Sequence, residues 1–170
     1  MSRLLSALAI SGCLLVGMPA VTLAQGLPGF TLFGGPSRGD LLNYRLERGT
    51  AGFPSDRYRL RIPARKMQFA ISQLSITYPN YYDGEFDQNR IEVRVKGKSV
   101  PLDEVIWNQE DHFVEIYPSE PIAAGQQVEV IFHNVRNPKF GGMYHFNARI
   151  RTPGDTPLYR YLGTWVLSIQ

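Results

Sequence analysis

The sequence predicts an all-β fold, an immunoglobulin-like antiparallel β-sandwich of about seven to nine strands with no disulfide. Three observations carry that reading. Apolar residues recur with a period of two, as where Ile91, Val93 and Val95 alternate with Glu92, Arg94 and Lys96, giving one core face and one wet face. Runs of this kind are short and separated by turn-forming clusters. After the N-terminal segment, no stretch shows a sustained apolar stripe at helical spacing. The alternation also argues against a parallel sheet, whose strands would be apolar on both faces.

Taken in chain order, the first element is not part of that sandwich. Arg3 is the only charge before Arg38, and an apolar run from Leu4 to Val16 follows it. Gly17 and Pro19 then break the run, and Thr22-Leu23-Ala24 places small residues at −3 and −1 before Gln25. This is the pattern of a signal peptide over residues 1–24, cleaved after Ala24. The run of about 13 residues is short of the roughly 20 needed to span a bilayer. Ile10-Ser11-Gly12-Cys13 has the outline of a lipidation site, but Leu14-Leu15-Val16 after it are apolar, and Cys13 reads as filler of the apolar run. Cys13 is the one cysteine, so the mature chain has neither a disulfide framework nor a thiol nucleophile. Residues 25–40, rich in Gly and Pro, read as a flexible lead-in, and 41–170 as a single sandwich domain.

Within that domain, strands are expected at Asn43 to Glu47 and Arg57 to Ile62. Met67, Phe69 and Ile71 alternate, then Leu74, Ile76 and Tyr78 continue in a new phase. The change at Ser72-Gln73 points to a kink where the chain moves between sheets. Ile91 to Val95, Phe113 to Tyr117, Gln126 to Asn134, Met143 to Thr152 and Tyr161 to Ile169 complete the set. Turns fall at Lys96-Gly97-Lys98, Asn108 to Asp111, Pro118 to Gly125, Asn137 to Gly142 and Pro153 to Pro157.

The formal charge is only +3, and basic and acidic residues are interspersed along the chain. No concentrated basic stripe marks a nucleic-acid binder. A serine-hydrolase elbow, a His-Glu-x-x-His pair and a phosphate-cradling glycine loop are all missing from the sequence, so no enzyme activity is expected.

Three segments stand out as motifs: Tyr81-Tyr82-Asp83-Gly84, Asn137-Pro138-Lys139-Phe140-Gly141-Gly142 and Tyr161-Leu162-Gly163-Thr164-Trp165. On these the chain resembles the secreted cyanobacterial proteins grouped as a domain of unknown function, over residues 67–170. The resemblance implies export and carries no catalytic residues. A weaker likeness to bacterial immunoglobulin-like modules rests on Val100-Pro101-Leu102 and the Pro121 to Gly125 turn. It implies a fold and no function.

Three chemistries are readable in the domain. Asp83, Glu85, Asp87 and Asn89 stand at alternate positions beside Gly84, a spacing of hard oxygen ligands suited to calcium. The competing reading is a solvated turn whose side chains bond their own backbone. His112, His133 and His145 with Met143 are the residues from which a copper site would be built, although none is closely paired in sequence. Tyr81, Tyr82 and Phe86 are aromatic rings beside carboxylates, as sugar-binding sandwiches use, with Arg136 and Lys139 as nearby cations. Being consecutive, Tyr81 and Tyr82 must point to opposite sides of an extended backbone. The expectation is therefore an extracytoplasmic, non-enzymatic module that binds or braces an envelope protein or polysaccharide, with no obligatory cofactor. Its alternative is an extracytoplasmic metal-binding protein.

Overall fold

The alternation is realised as two five-stranded antiparallel sheets packed face to face. The computed structural model describes residues 35–154 and 158–170. Among them run β1 (Tyr44–Leu46), β2 (Asp56–Ile62), β3 (Gln73–Thr77), β4 (Ile91–Val95), β5 (Lys98–Ser99), β6 (Leu102–Asn108), β7 (Phe113–Pro118), β8 (Val128–Val135), β9 (Gly142–Arg151) and β10 (Arg160–Ile169). One sheet has the order β1-β2-β8-β4-β5 and the other β10-β9-β3-β7-β6. Ten strands stand where seven to nine were expected, and the two that the sequence conceals are β5 and β6. The first is two residues long. The second carries Asp103 and Glu104 where its register against β7 shifts, so no clean alternation survives.

Between the sheets, inward residues alternate with outward ones as the period of two requires. Tyr58, Leu60 and Ile62 of β2 meet Val128, Val130 and Phe132 of β8 on one side. Ile76 of β3, Val114 and Ile116 of β7, Phe146 and Ile150 of β9, and Trp165 and Leu167 of β10 supply the other. Each such side chain, fully removed from water, contributes about 1.5–3 kcal/mol of apolar burial. Trp165 crosses the interior and donates its indole N–H to the carbonyl of Arg61 at 3.1 Å, which couples the two sheets. The one cysteine lies at position 13, so the described sandwich holds no disulfide.

The segment from Met67 to Ile71 is not the strand its alternation predicts. After β2 the chain must cross from one sheet to the other, and it does so through a 3-10 turn at Ala64–Lys66 and irregular backbone. Met67 and Ile71 are buried because they plug this end of the core. Ile71 exchanges two backbone hydrogen bonds with Ile122, and Gly125 donates to the Met67 carbonyl. Phe69 stays half-exposed beneath the Arg160 guanidinium, 4.5 Å away. The phase change at Ser72-Gln73 marks the point where β3 begins.

Near the start of the domain, Arg38–Asp40 form a 3-10 turn tied to Lys66 through the Asp40 carboxylate at 3.0 Å. The chain then runs beside β10, where Leu42 donates to the Thr164 carbonyl at 2.9 Å. That approach needs Gly163, since a Cβ there would lie 2.5 Å from the Asp40 carbonyl oxygen. The predicted signal peptide and residues 25–34 of the lead-in lie outside the described residues. Among the described residues no helix is long and apolar enough to cross a membrane.

Candidate functional site

Loops converge at the end of the sandwich opposite the Arg38–Asp40 turn, and a buried hydrogen-bond chain holds them. Asn137 begins the Asn-Pro turn and is 1% exposed. Its amide oxygen accepts from the Tyr58 hydroxyl at 2.6 Å, and its amide nitrogen donates to the Thr50 carbonyl (2.7 Å) and to Asp56 (2.9 Å). Asp56, equally buried, accepts from the backbone N–H groups of Arg48, Gly49 and Arg57. The Tyr82 hydroxyl extends the chain to Tyr58 at 3.2 Å. Burial holds the Tyr58 phenol far above its usual range, and pushes Tyr82 well up, with Tyr58 adding to the shift. Gly84 completes the arrangement, because a Cβ on it would stand 2.5 Å from the Tyr82 ring. Two of the three sequence motifs thus meet in one network.

Beside that network the loops leave an open cleft of about 420 Å³. The acidic loop supplies Glu85, Phe86, Asp87, Gln88 and Asn89, the end of β6 supplies Trp107, and the end of β8 supplies Asn134 and Arg136. Glu85 and Arg136 exchange backbone hydrogen bonds at 2.9 Å each, and their side chains stand 3.4 Å apart. Asp87 caps the 3-10 turn Gln88–Arg90 by accepting from Asn89 N–H, and its other oxygen accepts from the Asn134 amide at 3.3 Å. Asn134 has a left-handed backbone (φ 56°), which Asn tolerates better than most residues and which turns the chain out of β8. Trp107 is half-buried. Its indole N–H donates to the Tyr78 hydroxyl at 2.8 Å and its ring packs edge-on against Phe86. Burial raises the Tyr78 phenol, so it stays protonated and donates onward to the Asn108 carbonyl.

Of the nine residues singled out in the sequence, Glu85, Phe86, Asp87, Asn89 and Arg136 line this cleft. Phe86 does so as its floor. It is 5% exposed and stacked on Tyr82 at 5.5 Å, so it offers no free ring face. Tyr82 is 3% exposed and is likewise core, because of the two consecutive tyrosines it is the one that turns inward. Tyr81 turns outward, 61% exposed, with its ring 5.7 Å from Tyr144. Asp83 accepts from the Lys139 backbone N–H at 3.1 Å, so both residues serve the Asn-Pro turn and stand outside the cleft lining.

The residues of the calcium reading, Asp83, Glu85, Asp87 and Asn89, stand in one loop. Asp83, Glu85 and Asp87 are each engaged by a different protein donor, and among the described residues no three His, Cys, Asp or Glu side chains gather to hold a metal ion. The histidines are also apart. His133 lies on the outer face of β8 between Arg57 and Glu92, His145 alternates outward on β9, and His112 packs against Tyr78. The lining residues that sequence reasoning missed are Pro54, Gln88, Trp107 and Asn134. Trp107 was hidden with β6, whereas Asn134 carried one signal, an Asn at a strand end three residues before the Asn-Pro turn.

Fold and cleft together define an immunoglobulin-like β-sandwich module with one loop-built polar end. The chain belongs to the family described as "Protein of unknown function (DUF2808)", which matches residues 30–169. Among solved structures it is similar to the 35 kDa C-terminal fragment of the major pilin of Streptococcus agalactiae (10% identity, TM-score 0.49), covering 80% of this chain and 56% of that one. It is also similar to the collagen-binding domain of a Staphylococcus aureus adhesin (8%, TM-score 0.42), covering 75% and 95% of the two chains. A third likeness is to an uncharacterized protein from Nocardia farcinica with an immunoglobulin-like fold (12%, TM-score 0.42), covering 76% and 97%. The chain therefore spans about half the length of the pilin fragment it resembles. No curated protein matches the chain.

Proposed function

We propose that this protein is an exported, non-enzymatic sandwich module that binds an envelope polysaccharide through the cleft at its loop end. One observation carries the reading: a half-buried indole, Trp107, lines an open groove together with Pro54 and Phe86, and the remaining walls are amides, carboxylates and a guanidinium. An aromatic face takes the apolar side of a sugar ring, while Glu85, Asp87, Asn89, Asn134 and Arg136 offer both acceptors and donors to its hydroxyls. The groove is preformed, since the Glu85–Arg136 bridge and the Asp87 cap fix its walls without a ligand. Export is supported by the N-terminal segment, and the extracytoplasmic setting follows from it.

The test is affinity electrophoresis of the mature domain against a panel of neutral and acidic polysaccharides, repeated with Trp107→Ala. The expected result is retardation by at least one glycan, weakened about tenfold or more by the substitution, as loss of a stacking aromatic implies. Retardation that Trp107→Ala leaves unchanged would remove the cleft as the binding site.

A further inference from the structure

We infer that the polysaccharide is acidic, and that the outer face of the β1-β2-β8-β4-β5 sheet is an arginine surface along which its anionic groups lie. The inference rests on the cleft reading above and extends that site. Charges that are scattered along the sequence are gathered here by the fold. Arg57, Arg59 and Arg61 alternate outward along β2, Arg45 of β1 stands directly opposite Arg59, and Arg94 projects from β4. Three carboxylates share the face. Glu129 takes both Arg59 and Arg61, Glu92 takes Arg94, and Glu47 takes Arg57. Five guanidinium groups against three carboxylates leave this face at +2. Arg45 is exposed and, among the described residues, makes no ion pair.

The strand sets the spacing of these charges, which suits a linear polymer. Arg57, Arg59 and Arg61 repeat at about 6.5–7 Å along the strand. Ile131 sits on this outer face with 0% exposure, between Arg59 and Glu92 in the strand register, so the long side chains are held down over an apolar seat. Guanidinium groups match carboxylate and sulfate geometry through paired N–H donors. The face also continues into the cleft. A smaller polar recess is lined by Arg57, Arg90, His133 and Asn134, together with the carboxylates of Glu47 and Asp56, which are held by Arg57 and by backbone N–H groups, and Asn134 belongs to the cleft wall as well. A chain seated on Trp107 therefore passes over Asn134 to Arg57, and then along β2.

Polygalacturonate, dextran and duplex DNA serve as probes, with Trp107→Ala and the double variant Arg45→Glu/Arg61→Glu each tested against all three. Arg45 and Arg61 are surface side chains, and unfolding midpoints confirm that the variants fold. Polygalacturonate binding is expected to exceed dextran binding, to weaken as salt rises, and to fall about tenfold or more in the double arginine variant. If that variant binds polygalacturonate as the wild type does, the arginine surface is overturned, and a loss confined to Trp107→Ala leaves the cleft standing. If the arginine variant weakens and Trp107→Ala does not, the cleft falls and the surface stands. Binding of DNA as tight as that of polygalacturonate, with the same sensitivity to the arginines, would overturn the assignment to an acidic glycan.

Discussion

At the scale of single residues, the motifs are explained by what their side chains hold. Asn137 is the hub, since one amide satisfies a phenol, a backbone carbonyl and a buried carboxylate at once. Replacing it with Ala takes one hydrogen bond each from Tyr58, the Thr50 carbonyl and Asp56, although Asp56 keeps its backbone donors and Tyr58 keeps Tyr82; each lost bond costs about 0.5–1.5 kcal/mol, and about 1.5–3 kcal/mol where the acceptor is charged. Asn137→Ala is therefore expected to destabilise the domain by about 2–4 kcal/mol in urea unfolding, since three partners lose a bond. Asn137→Asp is expected to cost more, because it sets a second carboxylate against Asp56 in a buried site. An Asp variant as stable as wild type would show that the amide is not the hub. None of this was legible in the sequence, where the Asn-Pro-Lys-Phe-Gly-Gly turn reads only as backbone chemistry. The partners Thr50, Asp56 and Tyr58 lie some 80 positions away, and no local pattern announces them.

At the scale of elements, legibility followed the cleanness of the alternation. Strands buried on one face, such as β4, β7 and β9, could be read because inward and outward residues alternate without interruption. β6 was hidden because an edge strand needs no strict core face, and its two acidic residues sit at a register shift. Met67 to Ile71 misled for the opposite reason. Residues plugging the end of a core are spaced by the shape of that end, and here the spacing imitates a strand. The same limit applied to the site. The acidic loop was visible, but the wall supplied by Trp107 was hidden along with its strand. Gly163 shows how one position governs an element. Gly163→Ala drives a methyl into the Asp40 carbonyl, a backbone atom that cannot rotate away. The expected cost is about 1–3 kcal/mol. Hydrogen exchange should report it first at Leu42, whose N–H bonds the Thr164 carbonyl, and unchanged protection there would refute the close-packing argument.

At the scale of the whole molecule, the sandwich places six of its tyrosines where they resist ionisation. Burial raises the phenols of Tyr58, Tyr78, Tyr82, Tyr117, Tyr144 and Tyr159, and Tyr117 is pushed up to about 12 with its hydrogen bond to Glu115 adding to the effect. Two pairs of these belong to different parts of the fold. Tyr159 joins Tyr117 on the two oxygens of Glu115, and Gln73 donates to both phenols, which pins Tyr159, just before β10, to the outer face of β3. Tyr58 and Tyr82 pin the opposite end. In the unfolded chain a phenol ionises near pH 10. Below that value both states are neutral and these groups add no pH dependence. Between pH 10 and about 12 the unfolded chain gives up protons that the folded chain retains, so stability must fall as pH rises. For one fully buried phenol such as Tyr58 the slope is about 1.4 kcal/mol per pH unit. Several acting together should make alkaline unfolding steep and cooperative, with both ends of the sandwich released in one transition. Urea unfolding midpoints measured from neutral pH to pH 12 should stay level, then drop above pH 10. Phenolate absorbance of the buried set should appear only as the native fluorescence of Trp165 is lost. Phenolate formation that precedes unfolding would mean that the interior tolerates the charge, and that these hydroxyls do not fasten the two ends of the sandwich.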